Sequence, residues 1–295
     1  MIIENEAGVT PAVLQAMDGT PDPRLREVMA ALVRHAHAFI REVHPTEAEF
    51  EQGLEFLAAI GKACTDTHNE AVLFSDSIGV STLVCLLNNG QSGSTETAAA
   101  LLGPFWRDNS PPTPDGGSII RSPTPGPKLF VRGEVRGPDG APVAGARVDV
   151  WHSSPDGMYE NQDPAQADMN LRGRFETDAE GRFRFASVRP AGYPVPTHGP
   201  VGAMLGAQAR HPYRPAHLHV LVHKPGFKTL VTQVFVDDDE HLETDVVFGV
   251  TQALIGGFQR HEGPAPDGSE GEWFTLDYRF TLERGEARLP RPPIA

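Results

Sequence analysis

Twelve histidines are spread along the chain, and spacing separates those that can share a ligand from those that cannot. His217 and His219 lie in AHLHV (216–220), an alternating stretch that reads as a strand. In a strand, residues two apart point to one face, with Leu218 and Val220 on the other, so both imidazoles can reach a single ion. His35 and His37 have the same spacing within a helical pattern, where a two-residue step turns the side chain by about 200° and prevents chelation. These two are expected on a helix surface.

Two of the four tyrosines, Tyr159 in WHSSPDGMYE (151–160) and Tyr193 in RPAGYPVP (189–196), fall in turns bounded by Gly and Pro rather than in alternating strands. Taken singly, a turn tyrosine is a packing residue with a hydroxyl handle, and a strand His-x-His pair fits structural histidines as well as a metal site. Taken together, phenolate and imidazole without thiolate form a hard and borderline donor set, better suited to Fe(III) than to zinc or Cu(I). A phenol with a pKa near 10 ionises at pH 7 only if the ion supplies upward of ~4 kcal/mol, which a trivalent cation at bonding distance can do.

The elements that must position these groups divide at a change of composition near residue 108. From Pro23 to about Asn89, apolar residues recur at three- and four-residue steps (Leu25, Val28, Met29, Leu32, Val33; then Phe50, Leu54, Leu57, Ile60, Cys64; then Val80, Leu83, Val84, Leu87), which predicts three helices. The segment RDNSPPTPDGGSIIRSPTPGPK (107–128) is a connector by its Pro, Gly and Ser content. After it, LFVRGEV (129–135), ARVDVWH (146–152), GRFETD (173–178), GRFRFASV (181–188), AHLHVLVH (216–223), TLVTQVFV (229–236) and WFTLDYRF (273–280) alternate as strands, separated by turns. The expected architecture is α+β: a helical N-terminal domain over 1–107 and an all-β sandwich over 108–295. The Gly/Pro-rich stretch between Pro190 and Pro215 is too long for an idle loop and is expected to be functional.

Composition narrows the function classes. The 295 residues suffice for a sizeable core, and 30 Gly with 27 Pro favour turns over long helices. A formal charge of −14 has the wrong sign for a surface that neutralises phosphates, so nucleic acid is not an expected partner. Cys64 and Cys85 are too few for a disulfide framework; both are expected as buried free thiols in a reducing compartment. No stretch reads as a signal peptide or membrane span, and a cytoplasmic protein is expected. The acidic run DDDE (237–240) lacks the spaced oxygen ligands of a Ca²⁺ site and reads as a solvated turn.

The stretches LLGPFW (101–106), VWHSSPDGMYE (150–160), LRGRFETDAEGRFRF (171–185), RPAGYPVPTHGPVGAML (189–205), RPAHLHVLVHKPGF (214–227) and LVTQVF (230–235) resemble the intradiol ring-cleavage dioxygenases, in the catechol and hydroxyquinol branch. The resemblance covers nearly the whole chain. It implies one non-haem Fe(III) per subunit, held by Tyr159, Tyr193, His217 and His219, and an ortho-diphenol cleaved with O2 to a dicarboxylate. It further implies that Tyr193 yields its place to the substrate and takes up a proton. Arg214 would stand beside the ring to stabilise charge on the reacting carbon, and Gln233 nearby. Tyr213, four residues before His217, is expected to pack near the site without ligating, and His152, His198, His211 and His223 stay outside the coordination sphere.

By the same resemblance the pocket wall comprises Leu73, Asp76, Leu102, Gly103, Pro104, Phe105 and Val246, among which Asp76 is the polar member. A carboxylate on an apolar wall calls for a partner, and the third hydroxyl of hydroxyquinol would be one. Hydroxyquinol cleaved to maleylacetate is therefore the preferred reading, with catechol cleaved to cis,cis-muconate as the alternative and a cap for the following helix as the bland role of Asp76. His198 stands where relatives commonly carry an acid. A non-catalytic β-sandwich binding module is the reading from a different class, and it would need no four-ligand set. The resemblance also implies a homodimer through the N-terminal helices, with an interfacial tunnel able to hold lipid.

Overall fold

The computed structural model describes residues 2–65, 68–89 and 96–294. The chain falls into two compact units, Met1–Ala59 and Ile60–Ala295. This division by packing lies well before the change of composition near residue 108, where the connector to the first strand begins.

The first unit contains α1 (Val9–Ala16), α2 (Pro23–Val43) and most of α3 (Glu47–Ala63). Asp22 caps α2 by accepting from the amides of Arg24 and Leu25, with Pro23 in the first turn, and His44 ends it in a left-handed conformation (φ 48°). A capping box opens α3: the Thr46 hydroxyl accepts from the Glu49 amide, and the Glu49 carboxylate accepts from the Thr46 amide. No residue of α2 is buried; Leu25, Val28, Leu32, Phe39 and Val43 form an exposed apolar stripe, and Phe50, Leu54 and Leu57 do the same on α3.

The third predicted helix, over Val80 to Leu87, is α5 (Val80–Asn88); α4 (Glu70–Ser77), which the periodicity does not predict, precedes it at a bend of 77°. Gly79 makes the break: its φ of 73° is open to glycine at little cost. No single helix among the described residues is long and apolar enough to cross a membrane. Cys64, expected to be buried, is exposed just beyond the end of α3, and Cys85 on α5 is partly buried; both are free.

The strands of the second unit are β1 (Lys128–Arg136), β2 (Arg147–His152), β3 (Arg172–Glu176), β4 (Arg182–Val188), β5 (Tyr193–Pro194), β6 (Tyr213–Arg214), β7 (His217–His223), β8 (Leu230–Val236), β9 (Ile255–Gly256), β10 (Gln259–Glu262) and β11 (Glu272–Thr281). A four-stranded sheet runs β10-β11-β1-β4 and a five-stranded sheet β3-β2-β7-β8-β9, with β5 and β6 as a separate pair. Leu129, Val131 and Val135, Val148 and Val150, Phe183 and Phe185, Leu218, Val220 and Val222, and Leu276 and Phe280 pack together as the core of this sandwich. The side chains of β7 that face away from this core begin with His217 and His219. The Gly/Pro-rich stretch holds β5, β6 and an unanticipated helix, α6 (Pro200–Ala207); the buried Glu70 carboxylate accepts from the Val201 amide at its start.

Candidate active site

The alternation along β7 sends Leu218 and Val220 into the sandwich and leaves His217 and His219 together on the opposite face, both 1% exposed. Their Nε2 atoms stand 3.1 Å apart. The loop after β2 and, against the expectation of a turn, the two-residue strand β5 deliver Tyr159 and Tyr193 to the same place. The Tyr159 ring meets Tyr193 edge-on, with centroids 5.4 Å apart, and lies 6.4 Å from His219, while Tyr193 lies 5.6 Å from His217. The turn before Tyr159 is tight at Gly157 (φ 77°), where a Cβ would stand 2.9 Å from the Gly192 carbonyl; glycine is what allows the two tyrosine-bearing segments to touch.

Protonation follows from burial. Desolvation lowers the His217 pKa to about 3, helped by the Arg214 charge, and pushes His219 well below the ordinary imidazole range. Both rings are therefore neutral at pH 7. The Nδ1 of His217 donates to the Pro215 carbonyl (2.7 Å), so its lone pair is on Nε2, aimed at His219. Burial, then the neighbouring Tyr193, raises the Tyr159 hydroxyl well above its ordinary value, and among the described residues that hydroxyl has no partner within hydrogen-bond geometry. A buried phenol oxygen left without a partner, beside an imidazole lone pair that meets another ring nitrogen at 3.1 Å and the Arg214 guanidinium only at 3.4 Å, fits a cation bound among them. The donor set contains oxygen and nitrogen and no sulfur, as a ferric ion prefers.

The residues around this cluster are fixed from the sheet. Trp151 on β2 and Gln233 on β8 lie directly across from His219 in the strand register; Trp151 stacks on the imidazole (centroids 4.7 Å, 6° between planes). Arg214, paired with Tyr193 across β5 and β6, is 4% exposed; its Nη1 lies 3.4 Å from His217 Nε2 and its Nη2 donates to Gln233 Oε1 (2.9 Å). Gln233 in turn donates to the Leu101 carbonyl (2.8 Å). Asp245 receives Arg214 with both oxygens (3.2 and 3.1 Å) and is itself held by the amides of Val247 and Gly249. Behind Tyr159, the buried Glu160 receives Arg172, whose guanidinium also donates to the Phe105 carbonyl.

Sequence reasoning missed Asp245, Arg172 and Glu160. The residues alone carry no sign that these charges are buried in pairs, since that depends on which loops meet.

Of the expected wall residues, Leu102 and Phe105 pack on the Tyr159 cluster, Phe105 with its ring 4.5 Å from Tyr159. The Gly103 backbone comes so close that a Cβ would stand 3.1 Å from His219 Cε1, and Pro104 is exposed. Leu73 and Val246 share a second cluster with Val201 and Leu205. Asp76 lies on α4, and its carboxyl is raised above the usual range by burial, against the Ser81 hydroxyl and the Arg214 charge, with Asp245 raising it further. It does not cap the next helix: the cap position of α5 is Gly79, without a side-chain bond.

His35 is exposed on α2, and His37 bonds to the Thr10 hydroxyl (2.8 Å). Tyr213, expected to pack near the ligands, is 41% exposed and stacks on His241. His152 bonds to Ser153 and Ser187, His223 to Thr229, and His198 is exposed. In the acidic run, Asp237 and Asp239 accept backbone amides and Asp238 pairs with Arg189.

Residues 102–283 match the family described as dioxygenase, and residues 22–96 match the catechol dioxygenase N terminus. The chain belongs to the intradiol dioxygenase family. A hydroxyquinol 1,2-dioxygenase of Rhizobium sp. is 42% identical over 278 residues, covering 92% of this chain and 93% of the relative. The crystal structure of hydroxyquinol 1,2-dioxygenase from Pseudomonas putida matches with a TM-score of 0.88 at 38% identity, over 95% of this chain and 99% of that one. Catechol 1,2-dioxygenase from Pseudomonas arvilla matches with a TM-score of 0.80 at 28% identity, over 98% and 96%. Intradiol dioxygenases use non-haem Fe(III) and O2 to open the ring of an ortho-diphenol, and the helical N-terminal region preceding a β-sandwich is their architecture.

Proposed function

We propose that this intradiol dioxygenase binds one Fe(III) per subunit through Tyr159, Tyr193, His217 and His219 and cleaves hydroxyquinol between its ortho hydroxyls, giving maleylacetate. The observation that carries the ligand set is the convergence of the partnerless Tyr159 hydroxyl with Tyr193 and two neutral imidazoles. When bound, the ferric ion supplies the charge that ionises the phenols and draws electron density from the diphenol, which makes the ring reactive towards O2.

The protein groups have distinct tasks. Tyr193 accepts a proton from the substrate hydroxyl. Arg214, held by Asp245 and Gln233, places a fixed cation where charge builds on the ring. Gln233 links that cation to the Leu101 carbonyl at the wall. Leu73, Leu102, Gly103, Pro104, Phe105 and Val246 form the wall, with Gly103 leaving room beside His219.

Hydroxyquinol is favoured over catechol by Asp76. Its carboxyl is partly buried beside apolar wall residues and does not cap α5, so a third ring hydroxyl gives it a donor that catechol lacks. Relatives named for hydroxyquinol support the same choice. The test is Asp76→Asn in iron-loaded protein of verified stability. A charge-assisted hydrogen bond is worth ~1.5–3 kcal/mol, so kcat/KM for hydroxyquinol should fall roughly ten- to 150-fold while catechol loses little. Equal losses for both substrates, or a parent that already prefers catechol, would sink the hydroxyquinol reading and leave ring cleavage standing.

The exposed apolar stripes of α2 and α3 support a homodimer through the N-terminal helices. The interfacial lipid rests on the resemblance alone.

A further inference from the structure

Arg210 occupies a place that neither the ligands nor the substrate contacts explain. It follows α6 directly, after Ala209 turns the chain left-handed (φ 54°) and the Arg210 amide bonds back to Leu205. From there its guanidinium reaches two backbone carbonyls on separate elements. Nη1 donates to Ser77, the last residue of α4 (2.8 Å), and Nη2 donates to Val246 (2.8 Å). The same group lies 4.9 Å over the Phe248 ring. The planar fork is what permits this, because two donors leave it at fixed separation.

The two elements so joined both contribute to the wall of the proposed pocket, and their apolar members Leu73 and Val246 pack in one cluster. One carries Leu73 and Asp76 on α4; the other is the 245–249 loop, carrying Asp245, which holds Arg214, and Val246. A second tie runs parallel, from the Thr82 hydroxyl on α5 to the Val247 carbonyl (3.0 Å). The loop itself is bent to meet them, with Phe248 at φ 57° against Gly79.

We infer that Arg210 is a specificity-positioning residue: it sets the spacing between the Asp76 helix and the loop that anchors Arg214, and with it the choice between a triol and a diphenol. The inference rests on the reading of the pocket given above. Arg210 touches neither metal ligand nor substrate, so its removal should not weaken iron binding. It should let α4 drift from the loop by a fraction of an ångström, enough to lengthen a hydrogen bond to the third hydroxyl.

The experiment compares Arg210→Gln, Arg210→Lys, Asp76→Asn and the Asp76→Asn/Arg210→Gln double variant, each iron-loaded, on hydroxyquinol and catechol, with iron content, visible spectrum and Tm recorded alongside. Arg210→Gln should reduce the hydroxyquinol-over-catechol ratio of kcat/KM about three- to tenfold, chiefly through KM, with iron content and spectrum unchanged. Arg210→Lys keeps the charge but can reach one carbonyl at a time, and should fall between; it also serves if the Gln variant fails to fold. In the double variant the ratio should match that of Asp76→Asn alone, since a spacing that serves Asp76 has nothing left to serve.

An unchanged ratio in both Arg210 variants overturns the inference, as does an equal loss for both substrates, a loss of iron, or a double variant in which the two losses multiply. If Asp76→Asn is silent while Arg210→Gln still lowers the ratio, the Asp76 reading fails and takes with it the inference that Arg210 acts by spacing Asp76. If Asp76→Asn lowers the ratio and Arg210→Gln does not, the Asp76 reading stands and the inference alone fails.

Discussion

At the scale of single residues, the proposed centre depends on two different kinds of information. That His217 and His219 share a face follows from the period of a strand and is readable from AHLHV alone. It gives a sharp comparison: His217→Ala and His219→Ala should each abolish iron binding, whereas His35→Ala and His37→Ala should leave one iron per chain. Equal loss in the helical pair would break the argument from strand geometry. Tyr159→Phe should weaken iron retention and shift the visible charge-transfer band, because its buried hydroxyl has no other partner. A colourless, fully active zinc protein would refute the ferric assignment. Asp245, by contrast, was not legible. An acid in TDVVFG resembles any loop acid until the fold brings Arg214 against it; truncating one side of such a buried pair costs about 3–5 kcal/mol, so Asp245→Ala should lower stability as well as activity.

At the scale of elements, the seven alternating stretches are strands in the structure, within two residues of their expected ends, because apolar side chains at every second position have only one way to fill a sandwich. Elements that lack a period of their own were invisible: the two-residue strands β5, β6 and β9, and α6 with its Pro and Gly. Their positions come from tertiary contacts such as Glu70 on the Val201 amide.

Pairing of β1 with β11 is also a tertiary fact. Its parallel register sets Arg132 opposite Asp277 and Glu134 opposite Arg279, and Glu134 also pairs with Arg136. Hydrogen bonds from Arg136 and then Arg279 hold the Glu134 carboxyl down at about 2, against a usual 4.5. A carboxyl depressed on folding stabilises the fold above its unfolded pKa and loses that contribution as pH falls through the folded one. Unfolding curves of the parent and Glu134→Gln should therefore differ by a constant amount above pH 4.5, converge between 4.5 and 2, and coincide below. Arg279 is largely exposed, so the gap should be about 1 kcal/mol or less. A gap that persists below pH 2 would assign it to packing instead.

At the scale of the whole molecule, composition excluded more than it specified. The net charge of −14 removed nucleic acid from consideration, while the large apolar face of the N-terminal helices was visible as periodicity but not as exposure. A 21-residue helix with no buried residue is unusual unless another surface covers it. On α2, Leu25, Leu32 and Phe39 recur every seven residues, and all three are at least half exposed. A seven-residue repeat is the pattern of a seam between helices. In the proposed homodimer a symmetric interface contains each such residue twice. Replacing Leu32 by Glu removes about 1.5–3 kcal/mol of apolar burial per copy, and twice that weakens association by roughly two to four orders of magnitude. Sedimentation at micromolar concentration should find the parent as a dimer and Leu32→Glu and Phe39→Glu as monomers. Because every proposed ligand lies in the Ile60–Ala295 unit, iron content per chain should stay the same on dissociation. A parent that sediments as a monomer across that range would leave the stripe uncovered and refute the homodimer. Iron lost together with the dimer would instead mean that the metal centre depends on the assembled pair.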